Sequence, residues 1–380
     1  MSLRLLTAGE SHGPELVLIV EGLPAGVGVD GLELDRHLLR RQAGYGRGAR
    51  STKVEHDHAE VVAGVAAGLT TGAPVAVRIR NLDFANQPGS KPVLTTPRPG
   101  HADLAGAIKF GLTDLRLVRE RASARETAAR VAAAALVRPL LAHFKVAVGS
   151  FVTAIGGAGT GLQLAGVSGP ELVELAARAE LDPVRCPDAE ASQAMVEAID
   201  AARRERQTLG GTFVVFAIGV PAGLGSYTHW DRRLDGRLAG AICSIPAVKG
   251  VEVGPAFDVS RMPGGDAQDS ILRLGASLSR GSNFAGGLEG GVTNGEPVVL
   301  RAAMKPLSSV RAELVSIDLG TGQTADPAYI RSDICAVPAA AVVAEAMVAW
   351  VLGEALLDRF GGDRLDAMLA AFAAAARPEW

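Results

Sequence analysis

The sequence predicts an α+β fold in which long helices pack against antiparallel sheets. Segments rich in Val, Ile and Phe recur across short glycine turns, often without a long helix between them. This order argues against a doubly wound parallel sheet, in which helices alternate regularly with strands. Two long Ala-rich stretches with helical periodicity, near residues 123–142 and 336–358, are expected to cover the sheets.

The individual elements follow from composition and periodicity. Strands are predicted near residues 15–21, 60–65, 74–80, 145–154, 212–219, 251–257 and 297–304. Helices are predicted near residues 31–42, 103–110, 123–142, 168–180, 188–207, 231–242, 336–358 and 363–376. No Ser-, Pro- or Gly-rich linker divides the chain, so a single domain over residues 1–380 is expected.

The chain also shows a weak internal two-fold repeat. The segment at residues 22–28 resembles residues 219–225, and residues 68–78 resemble residues 291–301. Each copy leads into a charged loop and then one of the two long Ala-rich helices. The order of these blocks indicates pseudo-repeat halves at about residues 1–145 and 210–360.

Composition excludes several classes of function. A net charge of −3 and an aromatic content of 4% do not favour a nucleic-acid surface. The cysteines Cys186, Cys243 and Cys335 are far apart, which is typical of a reducing cytosol and of neither a disulfide framework nor a zinc site. We expect neither a signal peptide nor a membrane span, because no uninterrupted apolar run reaches the roughly 18 residues that a span needs.

Two histidines lie within glycine turns, GESHGP at residues 9–14 and RPGHAD at residues 98–103. Arginine-rich segments at residues 44–50 and 119–126 accompany them. Histidine exchanges protons near neutral pH, whereas arginine keeps its charge and binds phosphate through two parallel hydrogen bonds. The combination predicts acid–base chemistry on a phosphorylated anion.

Ser123 to Glu126 have the pattern of a capping box that opens a long helix. The free N–H groups at a helix N-terminus attract anions. Arg119, Arg121 and Arg125 add positive charge at this end, so a phosphate group would suit the site.

Three other motifs have weaker interpretations. Ser11 lies in a G-x-S-x-G pattern, but a hydrolase elbow needs several strands before it and a helix after it. Residues 26–31 match G-x-G-x-x-G without the expected βαβ unit, and are interpreted as a turn. His56-Asp57-His58 lacks a third metal ligand and is interpreted as an exposed strand end, so no metal site is predicted.

Eight motifs, taken in order, resemble the chorismate synthase family over nearly the whole chain. They are GESHGP, GYGRGAR, TTGAPVAVRIRN, RPGHAD, ERASARETAARVAA, SIPAVKGVEVG, KPLSSV and RSDICAVPAA. The resemblance implies a lyase that eliminates phosphate from 5-enolpyruvylshikimate-3-phosphate, giving chorismate, the last step of the shikimate pathway. It implies reduced FMN as cofactor and leaves open whether NADPH reduces it on this chain. It also implies a β-α-β sandwich with helices between two antiparallel sheets, assembled as a cytoplasmic homotetramer.

The resemblance assigns roles to individual residues. His12 corresponds to the histidine that protonates the departing phosphate, His101 to the histidine beside the flavin, and Asp333 to the aspartate near flavin N5. Taken alone, Asp333 would be interpreted as a dipole residue before the helix at Pro338. Substrate or NADPH anions are assigned to Arg41, Arg47 and Arg50. Cofactor contacts are assigned to Arg41, Arg47, Arg121, Ala122, Ser123, Pro246, Ala247, Gly290, Lys305, Pro306, Leu307, Ser308, Ser309 and Arg331.

Two alternatives remain open at this point. One is a flavin- or phosphate-binding protein that keeps the fold without turnover. The other is a serine hydrolase built on Ser11. Release of phosphate and chorismate together would favour the lyase, flavin binding alone would favour the binding protein, and esterase activity that depends on Ser11 would favour the hydrolase.

Overall fold

The computed structural model describes residues 3–48, 56–86, 92–275, 277–327 and 332–375. The helices are α1 (Gly31–Gln42), α2 (Asp103–Phe110), α3 (Leu115–Arg121), α4 (Thr127–His143), α5 (Gly169–Glu180), α6 (Ala189–Arg204), α7 (Leu234–Cys243), α8 (Ala256–Val259), α9 (Val337–Phe360) and α10 (Leu365–Ala374).

The longer strands are β1 (Arg4–Ala8), β2 (Glu15–Glu21), β3 (Ala59–Ala63), β6 (Val75–Arg80), β7 (Ala147–Ile155), β9 (Gly211–Ile218), β10 (Val248–Val253), β11 (Ile271–Leu274), β12 (Ser277–Arg280) and β15 (Val298–Met304). Short two-residue strands are β4 (Val65–Ala66), β5 (Leu69–Thr70), β8 (Ala158–Gly159), β13 (Leu288–Glu289), β14 (Val292–Thr293), β16 (Ser316–Ile317) and β17 (Thr324–Ala325).

Two antiparallel sheets frame the molecule. The first has the order β1-β2-β6-β3 and the second the order β10-β15-β9-β7-β8. Together with the helices they confirm the predicted α+β class. Alternate residues of β2, namely Leu16, Leu18 and Val20, are buried, whereas Ile19 faces outward and is partly exposed. This alternation is what a sheet covered on one face requires.

Helices α4 and α9 form the centre of the core. Helix α4 contacts β1, β2 and β6 of the first sheet, α9 contacts β7 and β9 of the second, and the two helices contact each other. Helix α5 packs on the other face of the second sheet, where Leu172 and Leu175 join Val214 and Phe216 in a separate apolar cluster. Strand β9 is therefore buried on both faces.

Helix α9 is long and apolar enough to cross a bilayer by length and composition, and 89% of its apolar window is buried inside the protein. Glu345 and Glu354 interrupt its apolar sequence, so no uninterrupted apolar run of roughly 18 residues is present in this helix, although its mean composition matches that of a span. A core helix that is covered on all sides carries the same composition as a membrane helix. The sequence alone does not separate the two cases, whereas the contacts of α9 with α4 and the second sheet do.

The two turns that resemble each other in sequence make matching hydrogen bonds. Thr70 donates its hydroxyl to Pro24 O at 2.5 Å, and Thr293 donates to Pro221 O at 2.6 Å. Each threonine hydroxyl in turn accepts a backbone N–H, from Val27 at 2.9 Å and from Leu224 at 2.8 Å.

Several predicted elements differ from the structure. Strand β1 and helix α3 were not expected, so Arg119 and Arg121 lie on a helix and not in a loop. The strand expected near 251–257 begins at Val248 and ends at Val253, before the short helix α8. Ser123 caps a 3₁₀ turn at Ala124–Glu126 that leads into α4, so the long helix begins at Thr127.

Candidate active site

A cavity of about 780 Å³ lies where segments from both ends of the chain meet. Its walls include the turns around residues 11–12 and 98–102, the α3–α4 connection, residues 245–247 and 304–309, and the start of α9. The N-terminal ends of both α4 and α9 line it. Helix N-termini carry partial positive charge and unsatisfied N–H groups, so this arrangement favours an anionic ligand.

Most of the predicted site residues meet in this cavity. The lining includes His12, His101, Asp333, Arg41, Arg47, Ala122, Ser123, Pro246, Ala247, Lys305, Leu307, Ser308 and Ser309. These residues come from eight separate segments of the chain, which only the folded protein brings together.

His12 is anchored by Glu120, a residue of α3. The Glu120 carboxylate lies 2.9 Å from the His12 Nδ1 atom and accepts the His12 backbone N–H at 2.7 Å. Both the ring and the backbone of the histidine turn are therefore held by one side chain. Nδ1 is therefore the ring nitrogen that Glu120 holds.

His101 is anchored by Asp103, a fully buried residue in the first turn of α2. The His101 Nδ1 atom lies 2.6 Å from Asp103 Oδ1, and Arg98 donates from Nε to Asp103 Oδ2 at 2.9 Å. Burial alone would raise the pKa of Asp103, but the hydrogen bonds from His101 and Arg98 hold that pKa well below its usual range. Asp103 is therefore ionised at neutral pH.

Ser123 connects the start of α4 to the histidine turn. Its hydroxyl accepts the Arg125 N–H at 3.3 Å and donates to the Ser11 hydroxyl at 3.1 Å. Ser11 is buried and follows a strand that leads to another strand, without the strand-to-helix turn of a hydrolase. The structure thus gives no support for a nucleophile elbow at this position.

Arg41 and Arg125 share a buried counter-ion, Asp57. Arg125 Nη1 lies 2.7 Å from Asp57 Oδ2, and Arg41 Nη1 lies 3.5 Å from the same oxygen. Arg41 also donates to the Thr127 hydroxyl at 2.9 Å. Interpreting residues 56–58 as an exposed strand end is therefore wrong for Asp57, which compensates the charge of two arginines behind the cavity wall.

Asp333 binds the arginine loop. Arg47 donates Nη1 to Asp333 Oδ2, and the Gly48 N–H donates to Asp333 Oδ1 at 2.6 Å. Gly48 has little room beside it, because a Cβ there would lie 3.3 Å from Asp333 Oδ1. The Arg–Gly loop and the segment before α9 are thereby joined through one carboxylate.

Three predicted residues do not line the cavity. Arg121 donates to the Thr7 backbone oxygen at 3.0 Å, Gly290 lies at the β13–β14 turn near Tyr227, and Pro306 lies between lining residues. Arg50 and Arg331 lie outside the described residues.

Several lining residues had no assigned role in the sequence. Arg98, Glu120 and Asp83 line the cavity, as do small residues of α9. Arg98 and Asp103 lie within the RPGHAD motif, where a carboxylate two residues after a histidine is a usable local signal. Glu120 is 108 positions from the histidine it holds, so no local pattern indicates the pair.

Comparisons with known proteins agree with this geometry. A family model described as chorismate synthase matches residues 3–357. The chorismate synthase of Moorella thermoacetica is 54% identical over 373 residues, covering 96% of this chain and 95% of that protein. That of Rubrobacter xylanophilus is 52% identical over 375 residues, covering 96% and 94%. A crystal structure of a chorismate synthase matches with a TM-score of 0.81 and 40% identity, covering 98% of this chain and 97% of that one. On the family match, the shared identity and the shared fold, this chain belongs to the chorismate synthase family.

Proposed function

We propose that the protein is a lyase of the shikimate pathway that converts 5-enolpyruvylshikimate-3-phosphate to chorismate and phosphate. One observation carries this assignment: in a chain that matches the family over residues 3–357, the same cavity is lined by both turn histidines and a set of arginines. A 1,4-elimination requires charge stabilisation at the leaving phosphate and a route for the ring proton. The lining groups supply both kinds of chemistry.

Reduced FMN is the cofactor that we assign to the cavity, and the lining residues fit it. The volume of about 780 Å³ is in the range of pockets that hold drug-sized ligands. Ile245, Met304, Leu307 and Val343 give the cavity apolar walls, which suit a flat aromatic ring. Within the described residues, the buried Nε of Arg119 has no hydrogen-bond partner, so an anion at this wall would satisfy a cation that burial otherwise penalises.

Ser123, Lys305, Ser308 and Ser309 are the polar residues to which we assign contacts with the cofactor. Ala122, Pro246, Ala247 and Leu307 would contribute apolar surface beside them. When bound, the reduced flavin supplies electron density to the elimination and recovers it, so the reaction has no net redox change.

His12 is the proposed general acid. Glu120 holds Nδ1 and the backbone of the turn, which orients the ring. The imidazolium then donates from Nε2 to an oxygen of the departing phosphate. General acids of this kind contribute about 10²–10⁴-fold to a rate.

Arginines provide the electrostatic part of the reaction. We assign Arg41, Arg47 and Arg50 to the anionic groups of the substrate. Asp57 and Asp333 pair with the first two and fix the direction of their guanidinium groups. Donors that are oriented before the reaction stabilise the developing phosphate without reorganising.

His101 and Asp333 are proposed to act at the flavin side of the cavity, His101 by balancing charge and Asp333 by assisting the transfer of the ring proton. Asp333 accepts hydrogen bonds from Arg47 and Gly48, which fix the position of its carboxylate.

The larger organisation is also a proposal. The contacts of α4 with the first sheet and of α9 with the second support a β-α-β sandwich, and the matching turn hydrogen bonds of Thr70 and Thr293 support a two-fold repeat within one domain. By the family resemblance we further propose a cytoplasmic homotetramer, with NADPH or an external reductase as the source of reduced flavin.

An anaerobic assay tests the function. The protein is incubated with photoreduced FMN and 5-enolpyruvylshikimate-3-phosphate, and phosphate and chorismate are both measured. We expect equal amounts of the two products, and a kcat at least about 10-fold lower for His12→Ala and for His101→Ala. His229→Ala, at an exposed position that does not line the cavity, is the control. Flavin binding without phosphate release would contradict the lyase, and unchanged rates in both histidine variants would contradict the assigned roles.

A further inference from the structure

Asp103 connects Arg98, Arg119 and His101 of the cavity wall. Its Oδ2 atom accepts from the Arg98 backbone N–H at 3.1 Å, from Arg98 Nε at 2.9 Å and from Arg119 Nη2 at 3.4 Å. Its Oδ1 atom faces His101 Nδ1 at 2.6 Å and Arg98 Nη2 at 3.2 Å. The carboxylate is fully buried, while Arg98, Arg119 and His101 all line the cavity.

These distances fix the proton on His101. Two groups face His101 Nδ1, the Asp103 Oδ1 acceptor at 2.6 Å and the Arg98 Nη2 donor at 3.0 Å. An ionised carboxylate oxygen only accepts hydrogen bonds, so the shorter of the two contacts requires a hydrogen on Nδ1. His101 therefore holds its proton on Nδ1 when the ring is neutral. Nε2 is then the ring nitrogen that faces a ligand as an acceptor, or as a donor once the ring is charged.

The charges around His101 make the carboxylate necessary. Arg98, Arg119 and Lys305 all lie in this part of the wall, with Lys305 Nζ donating to Gly100 O at 2.9 Å. Burial and the neighbouring Arg98 already lower the pKa of Arg119. Three cations without a counter-ion would repel one another and disfavour the charged imidazole.

We propose that Asp103 is a positioning residue for the elimination: it fixes the tautomer of His101 and directs Arg98 and Arg119 into the cavity. Arg98 also connects this cluster to the second half of the chain, because its Nη1 atom donates a hydrogen bond to Ser309 Oγ at 2.5 Å. The kinetic part of this proposal rests on the proposed function, whereas the tautomer does not.

Asp103→Asn is the direct test, because it removes the charge and changes the shape little. Three donors face Oδ2, so the asparagine is expected to keep its oxygen there and to turn its NH₂ group toward His101. The ring would then present Nδ1 as an acceptor and move its proton to Nε2. An exchanged tautomer of this kind is the known cost of an Asp-to-Asn change beside a catalytic histidine in serine proteases.

Nitrogen-15 spectra of the cofactor-free protein measure the tautomer. The seven histidines are labelled, solid-state spectra are recorded, and His101→Gln identifies the His101 signals. We expect a protonated Nδ1 in the unsubstituted protein and a protonated Nε2 in Asp103→Asn. An Nε2 proton in the unsubstituted protein, or the same tautomer in both, overturns the proposal.

A double-mutant comparison measures the link to catalysis. We expect Asp103→Asn to lower kcat at least about 10-fold in the unsubstituted protein and by less than about 2-fold when His101→Gln is already present. If Asp103→Asn lowers kcat by the same factor with and without His101→Gln, the effect is general structural damage, and the proposal is overturned. If the unsubstituted protein forms no chorismate, the proposed function fails, and the spectra still decide the role of Asp103.

Glu345→Gln is the matched control. Glu345 is also fully buried and is held by Arg40, Arg138 and Arg185, but it does not line the cavity. This variant should lose thermal stability without a change in kcat or in the His101 signals. If Asp103→Asn does not fold, Asp103→Glu takes its place, because it keeps the charge and displaces the carboxylate by one methylene. A lowered kcat and changed His101 signals are expected there, and unchanged values of both would overturn the proposal.

Discussion

Ser123 has two functions at the start of α4. Its hydroxyl caps the 3₁₀ turn by accepting the Arg125 N–H at 3.3 Å, and it contacts the Ser11 hydroxyl at the cavity wall. A serine at this position both stabilises a helix end and holds a donor where an anion would bind.

Replacing Ser123 by alanine should affect both stability and binding. We expect Ser123→Ala to lower the free energy of unfolding by about 1 kcal/mol, the usual cost of a lost N-cap. It should also weaken FMN binding, which a fluorescence titration measures.

Ser168→Ala provides the control, because Ser168 caps α5 by accepting the Glu171 N–H and does not line the cavity. It should show the loss of stability alone. Equal flavin affinities for the two variants would argue against a phosphate site at the start of α4.

At the residue scale, the sequence identifies the candidate catalytic residues better than it identifies the residues that hold them in position. His12, His101 and Asp333 stand in recognisable motifs, and all three line the cavity. Glu120 and Asp57 were not identified, because the residues they hold are remote in sequence and become neighbours only after folding. Local patterns reveal local contacts, whereas buried ion pairs between distant segments have no periodic signal.

The two core helices approach each other closely because they are rich in alanine. Small side chains such as Ala132 of α4 and Ala344 of α9 leave little volume between them. Gly353 marks a point of closest approach, since a Cβ added there would overlap Cγ1 of Val137 in α4. The packing of α4 on α9 therefore depends on the absence of one methyl group.

Gly353→Ala tests this packing. Alanine is the better helix former by about 1 kcal/mol, yet we expect the variant to lose about 1–3 kcal/mol of unfolding free energy through overpacking. Denaturant unfolding measures the change.

Gly240→Ala is the matched control, because Gly240 lies in α7 with nothing within 4 Å of an added Cβ. It should leave stability unchanged or raise it by about 0.4–1 kcal/mol. Adding Val137→Ala to Gly353→Ala should restore stability, and a lack of rescue would contradict the packing argument.

At the element scale, periodicity predicts the interior of the chain well. Helices α1 and α2 have the bounds expected from sequence, at 31–42 and 103–110. Helix α3 was missed because it is only seven residues long, and its arginines gave it the composition of a loop. Strand β1 was missed because only five residues form it and its partner β2 determines its pairing.

A buried ion cluster spans α1, α4, α9 and β7. Glu345 contacts Arg40, Arg138 and Arg185, and Ser150 donates to it at 2.7 Å. His37 lies beside this cluster, where burial, together with Arg138 and Arg40, lowers its pKa from 6.5 to about 3. Burial opposes ionisation of Glu345, but the arginines hold its pKa at about 2.

These shifts predict the response of the fold to acid. Between about pH 6.5 and pH 3 the unfolded chain binds a proton at His37 that the folded protein does not bind. The contribution of His37 is therefore complete above pH 6.5 and is lost as the pH falls toward 3. Glu345 adds a further loss between about pH 4.5 and pH 2. We expect the melting temperature to fall through both ranges.

His37→Gln tests the contribution of His37 to stability between pH 6.5 and pH 3. The variant should show a flatter dependence of melting temperature on pH between 6.5 and 3 than the unsubstituted protein. His143→Gln, at the exposed end of α4, should keep the original slope. Identical slopes for all three proteins would show that His37 does not contribute.

The cavity draws its walls from residues 11–127 and from residues 245–343. During synthesis both imidazoles thus leave the ribosome long before the apolar wall on α9 exists. A nascent chain that stops in its second half would carry the acid–base groups but no enclosed pocket to dock a ring. The cavity is therefore complete only when the chain has been synthesised through residue 343.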